Sequence, residues 1–420
     1  MATNFPHMIR ITQKFDNTVV DNIPEKVASQ IFSWGFENVI QSGQTVAVAC
    51  SSRGIANYDT IVNAVILGLK KMGLSPFIVP AMGSHGAASG AGQKRVLEHL
   101  GIREEKVGAP IKSSLEVIRI GQTAAQIPVY LDKLASEADH VVLVNRIKKH
   151  TEFEHEFESG LLKMMAIGLG KQAGAASYHE AMMTYGYPEV ILSVARKVMQ
   201  EVNILFGVGI VENGYGQTAD IGICPADKIE EMEIDLLRMA NSMAPSLPFD
   251  AADILIIDEM GKDISGTGFD TKVVGRIGLP LVSQEPTRPK IKRLVVCDLT
   301  AGSEGNAVGV GIADIITQRL LDKIDMQALN INTITGVCPE MGKIPLTLGN
   351  DREALEIAMK SVGLIPKARL KIMRIKNTAC LSNVDVSEAY ENELSERGDL
   401  KISVSKRPLT CDQEGNFESF

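Results

Sequence analysis

Short apolar, β-branched runs recur along this chain, each followed by a turn and a stretch with the three-to-four residue spacing of an amphipathic helix. Thr45-Val-Ala-Val-Ala-Cys50 reads as a buried strand, and Tyr58 to Met72 as a helix stopped by Gly73. Pro76-Phe-Ile-Val79 is the next strand, leading through Met82-Gly-Ser-His-Gly86 to a helix over Gln93 to Leu100. Further strands are expected at Glu116 to Ile120, His140 to Asn145 and Ile204 to Val211, with helices near Tyr187 to Glu201 and Ile229 to Asn241. Strands alternating with helices predict α/β layers built on a mainly parallel sheet.

Ala244-Pro-Ser-Leu-Pro-Phe-Asp250 carries two prolines and no periodicity, and is the best linker candidate. After it the pattern restarts with Asp253 to Asp258 and Arg293 to Asp298 as strands, a helix near Ile312 to Ile324, and a last strand over Arg369 to Ile375. The fold expected is therefore α/β, as two Rossmann-like α/β domains with an interdomain active-site cleft. The boundaries are 1–245 for the N-terminal domain, 250–400 for the C-terminal one, and 401–420 for a polar tail, loosely held or packed back on the first domain. In open α/β sheets ligands sit beyond the carboxyl ends of the strands. The polar runs Ser51 to Gly54, Gly83 to Gly86, Asn145 to His150 and Glu259 to Lys262 all fall at such ends.

Composition narrows the partners. The 420 residues exceed what one hydrophobic core usually supports, and 45% hydrophobic with 22% charged residues is the make-up of a globular protein. A net charge of -8 with only 5% aromatics argues against nucleic acid and against an anionic membrane surface. No signal peptide and no transmembrane segment are expected. Six scattered cysteines suggest neither a disulfide framework nor a zinc site. The picture is of a cytoplasmic protein acting on small molecules.

Chemistry concentrates between Asn145 and Glu180, which holds three of the 7 histidines, His150, His155 and His179. Histidine is the usual proton carrier at neutral pH and a common metal ligand. His150, after a strand and two lysines, reads as a base or metal ligand, whereas His155 among four glutamates reads as a solvated surface residue. His179 suits either a ligand or a polar position early in a helix. Lys163 lies among Leu161, Leu162, Met164 and Met165; such a lysine is either a nucleophile with a depressed proton affinity or a stem packed along a helix. His85, between glycines, is either catalytic or a helix cap. Gly168-Leu-Gly-Lys171 is no P-loop, since Gln172 stands where magnesium needs Ser or Thr. His150 to His155 lacks the spacing of a zincin.

Taken together, these residues resemble the nickel-dependent lactate racemase family, in matching order from about Cys50 to Gly342. Lys163 in Glu158-Ser-Gly-Leu-Leu-Lys163 matches the lysine that tethers a nickel-pincer nucleotide in that family, and His179, sixteen residues on, matches the histidine that ligates its nickel. His85 and His150 resemble the family's two acid/base histidines, and Arg53 in Ser-Ser-Arg-Gly its arginine near the reacting centre, with Ser52 beside the cofactor. The resemblance implies inversion of C2 of a 2-hydroxy acid by hydride transfer to and from the cofactor. Arg53 and Lys262 would bind the substrate carboxylate. It also implies cofactor-producing enzymes as partners. Cys50 stands where the racemase has an acidic residue, the His150–Lys163 loop is longer, and Gly261 to Gly268 is closer to homologues of other specificity. These departures point away from lactate to a more polar acid, such as a sugar acid epimerised at C2, with Lys262, Asp263, Ser265 and Thr267 offered to its hydroxyls. The rival readings are a non-catalytic protein binding an organic acid or nucleotide, and a metal-dependent hydrolase or lyase.

Overall fold

The computed structural model describes residues 5–52, 54–86, 89–279 and 283–420. The chain forms two compact units, Asp16–Ala244 and a second one that joins Pro245–Phe420 to the residues up to Phe15. Among the described residues the strands are, in chain order, β1 His7–Gln13, β2 Thr45–Cys50, β3 Ser75–Pro80, β4 Val117–Gln122, β5 Pro128–Asp132, β6 His140–Arg146, β7 Ile204–Glu212, β8 Thr218–Pro225, β9 Ala251–Ile257, β10 Lys290–Val296, β11 Ile315–Thr317, β12 Leu346–Leu348, β13 Ile372–Ile375, β14 Asn383–Ser387 and β15 Leu400–Pro408.

In the unit Asp16–Ala244 a five-stranded sheet runs β3-β2-β6-β7-β8, parallel except for the β7–β8 pair. Val46, Val48 and Cys50 of β2 point into one cluster with Val142, Val144 and Val208, under the helix Tyr58–Lys71. The hydroxyl of Tyr58, itself buried, accepts the Ser51 amide at 2.7 Å and donates to the Val144 carbonyl at 3.2 Å. It therefore ties the carboxyl end of β2 to that of β6, where the polar loops leave the sheet. Removing this hydroxyl in Tyr58→Phe orphans a buried amide and is expected to cost about 1–3 kcal/mol, read by urea denaturation.

The other unit has an eight-stranded sheet in the order β12-β11-β10-β9-β13-β14-β1-β15, parallel through β13 and antiparallel beyond it. Period-two alternation divides its side chains between two cores. Leu255, Ile257, Leu294 and Val296 face one, and Ile254, Ile256, Val295 and Cys297 the other.

Three expectations change here. Residues 5–15 do not belong with the domain that follows them, because β1 pairs with β14 and β15. The charged tail is ordered: β15 covers β1, and Arg374 sits under the rings of Phe417 and Phe420, its carbonyl partner being Glu418. The helix expected near 312–324 is instead strand β11 followed by the helix Gln318–Asp322. Ile315 and Ile316 pair with Val295 and Val296, and Thr317 ends the strand by bonding the Cys297 carbonyl while capping the helix through Leu320 N. Sheet pairing outweighed a local helical pattern.

No helix among the described residues is long and apolar enough to cross a membrane. All six cysteines are free thiols. Burial pushes the Cys50 thiol up to about 12, so the residue that departs from the racemase pattern is an inert wall of the core.

Candidate active site

Three adjacent parallel strands, β3, β2 and β6, deliver the candidate groups at their carboxyl ends. Ser52 follows β2, and its hydroxyl lies 2.5 Å from Nδ1 of His85, which sits in the turn after β3. That turn is held from below. The side chain of Gln93, fully buried in the helix Gly90–His99, donates to the carbonyls of Gly83 at 2.9 Å and His85 at 3.3 Å. Gln93 is itself fixed by Lys171, whose Nζ donates to Gln93 Oε1 at 3.1 Å and to the Pro80 carbonyl, and is ion-paired with Asp132 at 2.8 Å. Lys171 and Asp132 are fully buried. Burial lowers the lysine's proton affinity and the Asp132 carboxylate raises it again. Lys171 also holds a positive φ of 53°, a strained conformation for a residue with a side chain.

His150 follows β6, thirteen positions before Lys163, yet the two touch: Lys163 Nζ and His150 Nε2 are hydrogen-bonded. The loop between them closes on itself. Lys148 and Ser159 exchange backbone bonds of 2.9 and 3.1 Å, making its ends neighbours. Glu158, buried rather than part of the solvated acidic run, accepts the His150 amide at 2.5 Å. The His150 ring stacks on Phe153 at 4.4 Å between centroids, with Tyr187 at 6.1 Å. Its Nδ1 accepts the Glu152 amide at 3.1 Å. With Nδ1 engaged there, Nε2 is the ring nitrogen that faces Lys163. The Lys163 Nζ is thus engaged by an imidazole, and its side chain is not simply a stem packed along a helix. His155, by contrast, is exposed and touches only its neighbour Phe157 by ring contact among the described residues.

Lys163 ends a short helix, Leu161–Lys163, that widens into a π turn over Met164–Gly168, with Leu169 N bonded to Met164 O. Such turns concentrate at functional sites. Gly83 brings three segments together: its amide reaches the Gly168 carbonyl at 3.2 Å, and a Cβ there would meet Ile167 at 3.2 Å and Ala175 at 3.8 Å. Ala175 lies on the helix Lys171–Tyr185, which carries His179. The segments bearing His85, Lys163 and His179 thus pack on one another. Arg53 lies outside the described residues.

In the other unit, Lys262 follows β9, is half-buried, and donates its Nζ to the Gly266 carbonyl, while its amide bonds Ser303 Oγ at 2.7 Å. Two of the polar side chains proposed for substrate are already engaged. Thr267 is buried and donates to Phe269 O, Ser265 is buried, and exposed Asp263 accepts from Thr300 at 2.5 Å. The loop's polarity serves its own folding before any ligand.

Sequence reasoning missed Gln93, Lys171, Asp132, Glu158 and Glu233 as parts of this machinery. Only Lys171 carried a signal, as a lysine in a glycine-rich run. Glu158 and Glu233 are indistinguishable in sequence from the surface glutamates around them.

This is a class of α/β protein that arrays imidazoles and one lysine along the carboxyl edge of a parallel sheet. Residues 7–188 match the lactate racemase N-terminal domain. The match contains His85, His150, Lys163 and His179. Two solved structures share the fold. The lactate racemase apoprotein from Thermoanaerobacterium thermosaccharolyticum is 14% identical with a TM-score of 0.53, over 89% of this chain and 99% of that one. A crystal structure of a Thermotoga maritima protein is 13% identical with a TM-score of 0.54, over 88% of this chain and 99% of that one. No curated protein matches the sequence.

Proposed function

We propose that this protein is a racemase or epimerase that inverts C2 of a 2-hydroxy acid, using a nickel-pincer nucleotide tethered to Lys163. The observation that carries the reading is the contact between Lys163 and His150 inside the segment matched to the lactate racemase domain. A half-buried lysine in contact with an imidazole, in apolar surroundings and beside a glycine-built junction, fits a covalent tether. His179, on the helix packed against that junction, would hold the metal. When bound, the cofactor supplies removal and return of a hydride at carbon, which no side chain here can perform.

The chain's own residues handle the proton and the orientation. His85, held at Nδ1 by Ser52, and His150, stacked on Phe153, are the two groups that would take and return the proton of the substrate hydroxyl. Two bases let either enantiomer's hydroxyl meet an acceptor. Arg53 would bind the carboxylate, where a guanidinium offers paired donors. A sugar acid is the substrate to try first, because Gly261 to Gly268 departs from the lactate racemase pattern. The commitment of Thr267 to its own loop shifts part of the burden of recognising extra hydroxyls to other groups.

The test is intact mass of protein produced with and without the cofactor-producing enzymes. The expected result is an added mass that maps to Lys163 and is absent from Lys163→Ala. His85→Ala should keep the adduct and lose turnover by at least a hundredfold. His150→Ala should lose turnover and also accumulate adduct more slowly, since its ring contacts the lysine. An unmodified Lys163 in active, nickel-containing protein would defeat the tether. Faster C2 exchange of lactate than of any aldonic acid would defeat the substrate assignment alone.

A further inference from the structure

The helix that carries Lys163 starts at Gly160, which has no side chain to cap it. The first amides of any helix lack partners within it. Here they are met from seventy residues downstream: Oε2 of Glu233 accepts Leu161 N at 2.6 Å and Leu162 N at 2.9 Å. The same junction is held from its other side by Asn145 of β6, whose amide donates to the Gly160 carbonyl at 2.8 Å. There is no slack between the two clamps. A Cβ on Gly160 would stand 2.4 Å from the Glu233 carboxyl group.

This is a costly way to cap three residues. Glu233 is completely buried in the helix Ile229–Met243, and its second oxygen, Oε1, has no hydrogen-bond partner among the described residues. A serine or aspartate at position 160 would cap the helix without burying a carboxyl group. What Glu233 adds is placement. With Asn145 it locks the lysine's helix to β6, the strand from which His150 emerges five residues later. Glu158 locks the His150 amide in the same manner. Two buried carboxyl groups thus fix the two backbones whose side chains meet.

We propose that Glu233 is a positioning residue for Lys163, holding the first turn of its helix so that Nζ meets Nε2 of His150. The proposal rests on the reading of Lys163 as the cofactor-bearing lysine, and it adds how that amine is kept in register before the cofactor arrives.

The test uses the full-length apoprotein and limiting acetic anhydride. Peptide mass spectrometry reads labelling of Lys163 relative to Lys133 and Lys228, whose side chains are 46% and 51% exposed. At pH 7.5 the ratio is expected to be high in the native protein and within twofold of it in Glu233→Gln, which keeps an acceptor of the same reach. In Glu233→Met, which keeps the volume but not the acceptor, it should fall at least fivefold. His150→Ala should fall similarly, and the double variant no further, because both changes break one contact. General loosening of the fold would instead add to the loss. If Glu233→Met does not fold, Glu233→Asp gives the same comparison by withdrawing the acceptor one methylene. A native-like ratio in the folded acceptor-withdrawn variant, or additive losses, would overturn the proposal. Failure of the tether itself would appear separately, as a missing cofactor mass on Lys163 with the labelling pattern intact.

Discussion

Lys171→Met is expected to destabilise the protein by about 3–5 kcal/mol and to abolish turnover even in the molecules that stay folded. The lysine and Asp132 are both fully buried and 2.8 Å apart, so removing one leaves the other as an uncompensated interior charge. Desolvation of that charge is the main cost, and its size follows from burial, not from the strength of the pair. A second loss follows from Gln93. Without Lys171 Nζ on its oxygen, the Gln93 amide is no longer fixed under the carbonyls of Gly83 and His85. The turn holding His85 should then sample orientations away from Ser52. Urea denaturation reads the first effect. Adding Asp132→Asn to Lys171→Met should recover part of the stability while leaving turnover lost, because the charge is removed but the support of Gln93 is not restored. Full recovery of turnover in the double variant would show that the network is structural only.

The second large effect is a pH dependence of stability that belongs to Glu233. Burial pushes its carboxyl group up to about 7 from an ordinary 4.5; the two amides from Leu162 and Leu161 pull against this, and Glu230 adds to the rise. Between those values the folded protein keeps a proton that the unfolded chain has released. Stability from this group is therefore complete below about 4.5, falls as pH rises, and is fully lost above about 7. Across pH 5 to 8 the fall should be about 2–3 kcal/mol. Glu233→Gln cannot titrate, so the stability difference between variant and native protein should grow in the variant's favour by that amount over the same range. Taking the difference cancels the other titrating groups. A flat difference would mean that the carboxyl group is solvated or paired in solution.

Much of the architecture was legible in the chain. Alternating runs such as Thr45 to Cys50 and His140 to Asn145 have no soluble use except as strands buried on both faces, and helices such as Tyr58–Lys71 and Tyr187–Glu201 declare themselves by period and by their stops. The placement of Ser52, His85 and His150 at strand ends followed from the same periodicity, since a polar run after a buried strand has to lie at a sheet edge. The sequence also singled out Lys163, as an ionisable residue among leucines and methionines.

Pairing partners were a different matter. Nothing local assigns β1 to a partner strand that begins at Asn383, nor turns Ile315 and Ile316 from helix to strand; only the vacant sheet edges do so. The contact of Lys163 with His150 depends on a loop that closes through Lys148, Ser159 and the buried Glu158. Glu158, Glu233, Asp132 and Lys171 look like ordinary charged residues in the sequence. Burial gave each of them a partner or a cost, and burial is a property of the packed chain. Periodicity and composition are local quantities and determined the elements and the candidate chemistry; which charge is inside, and what it holds, was decided by tertiary contacts between residues far apart in sequence.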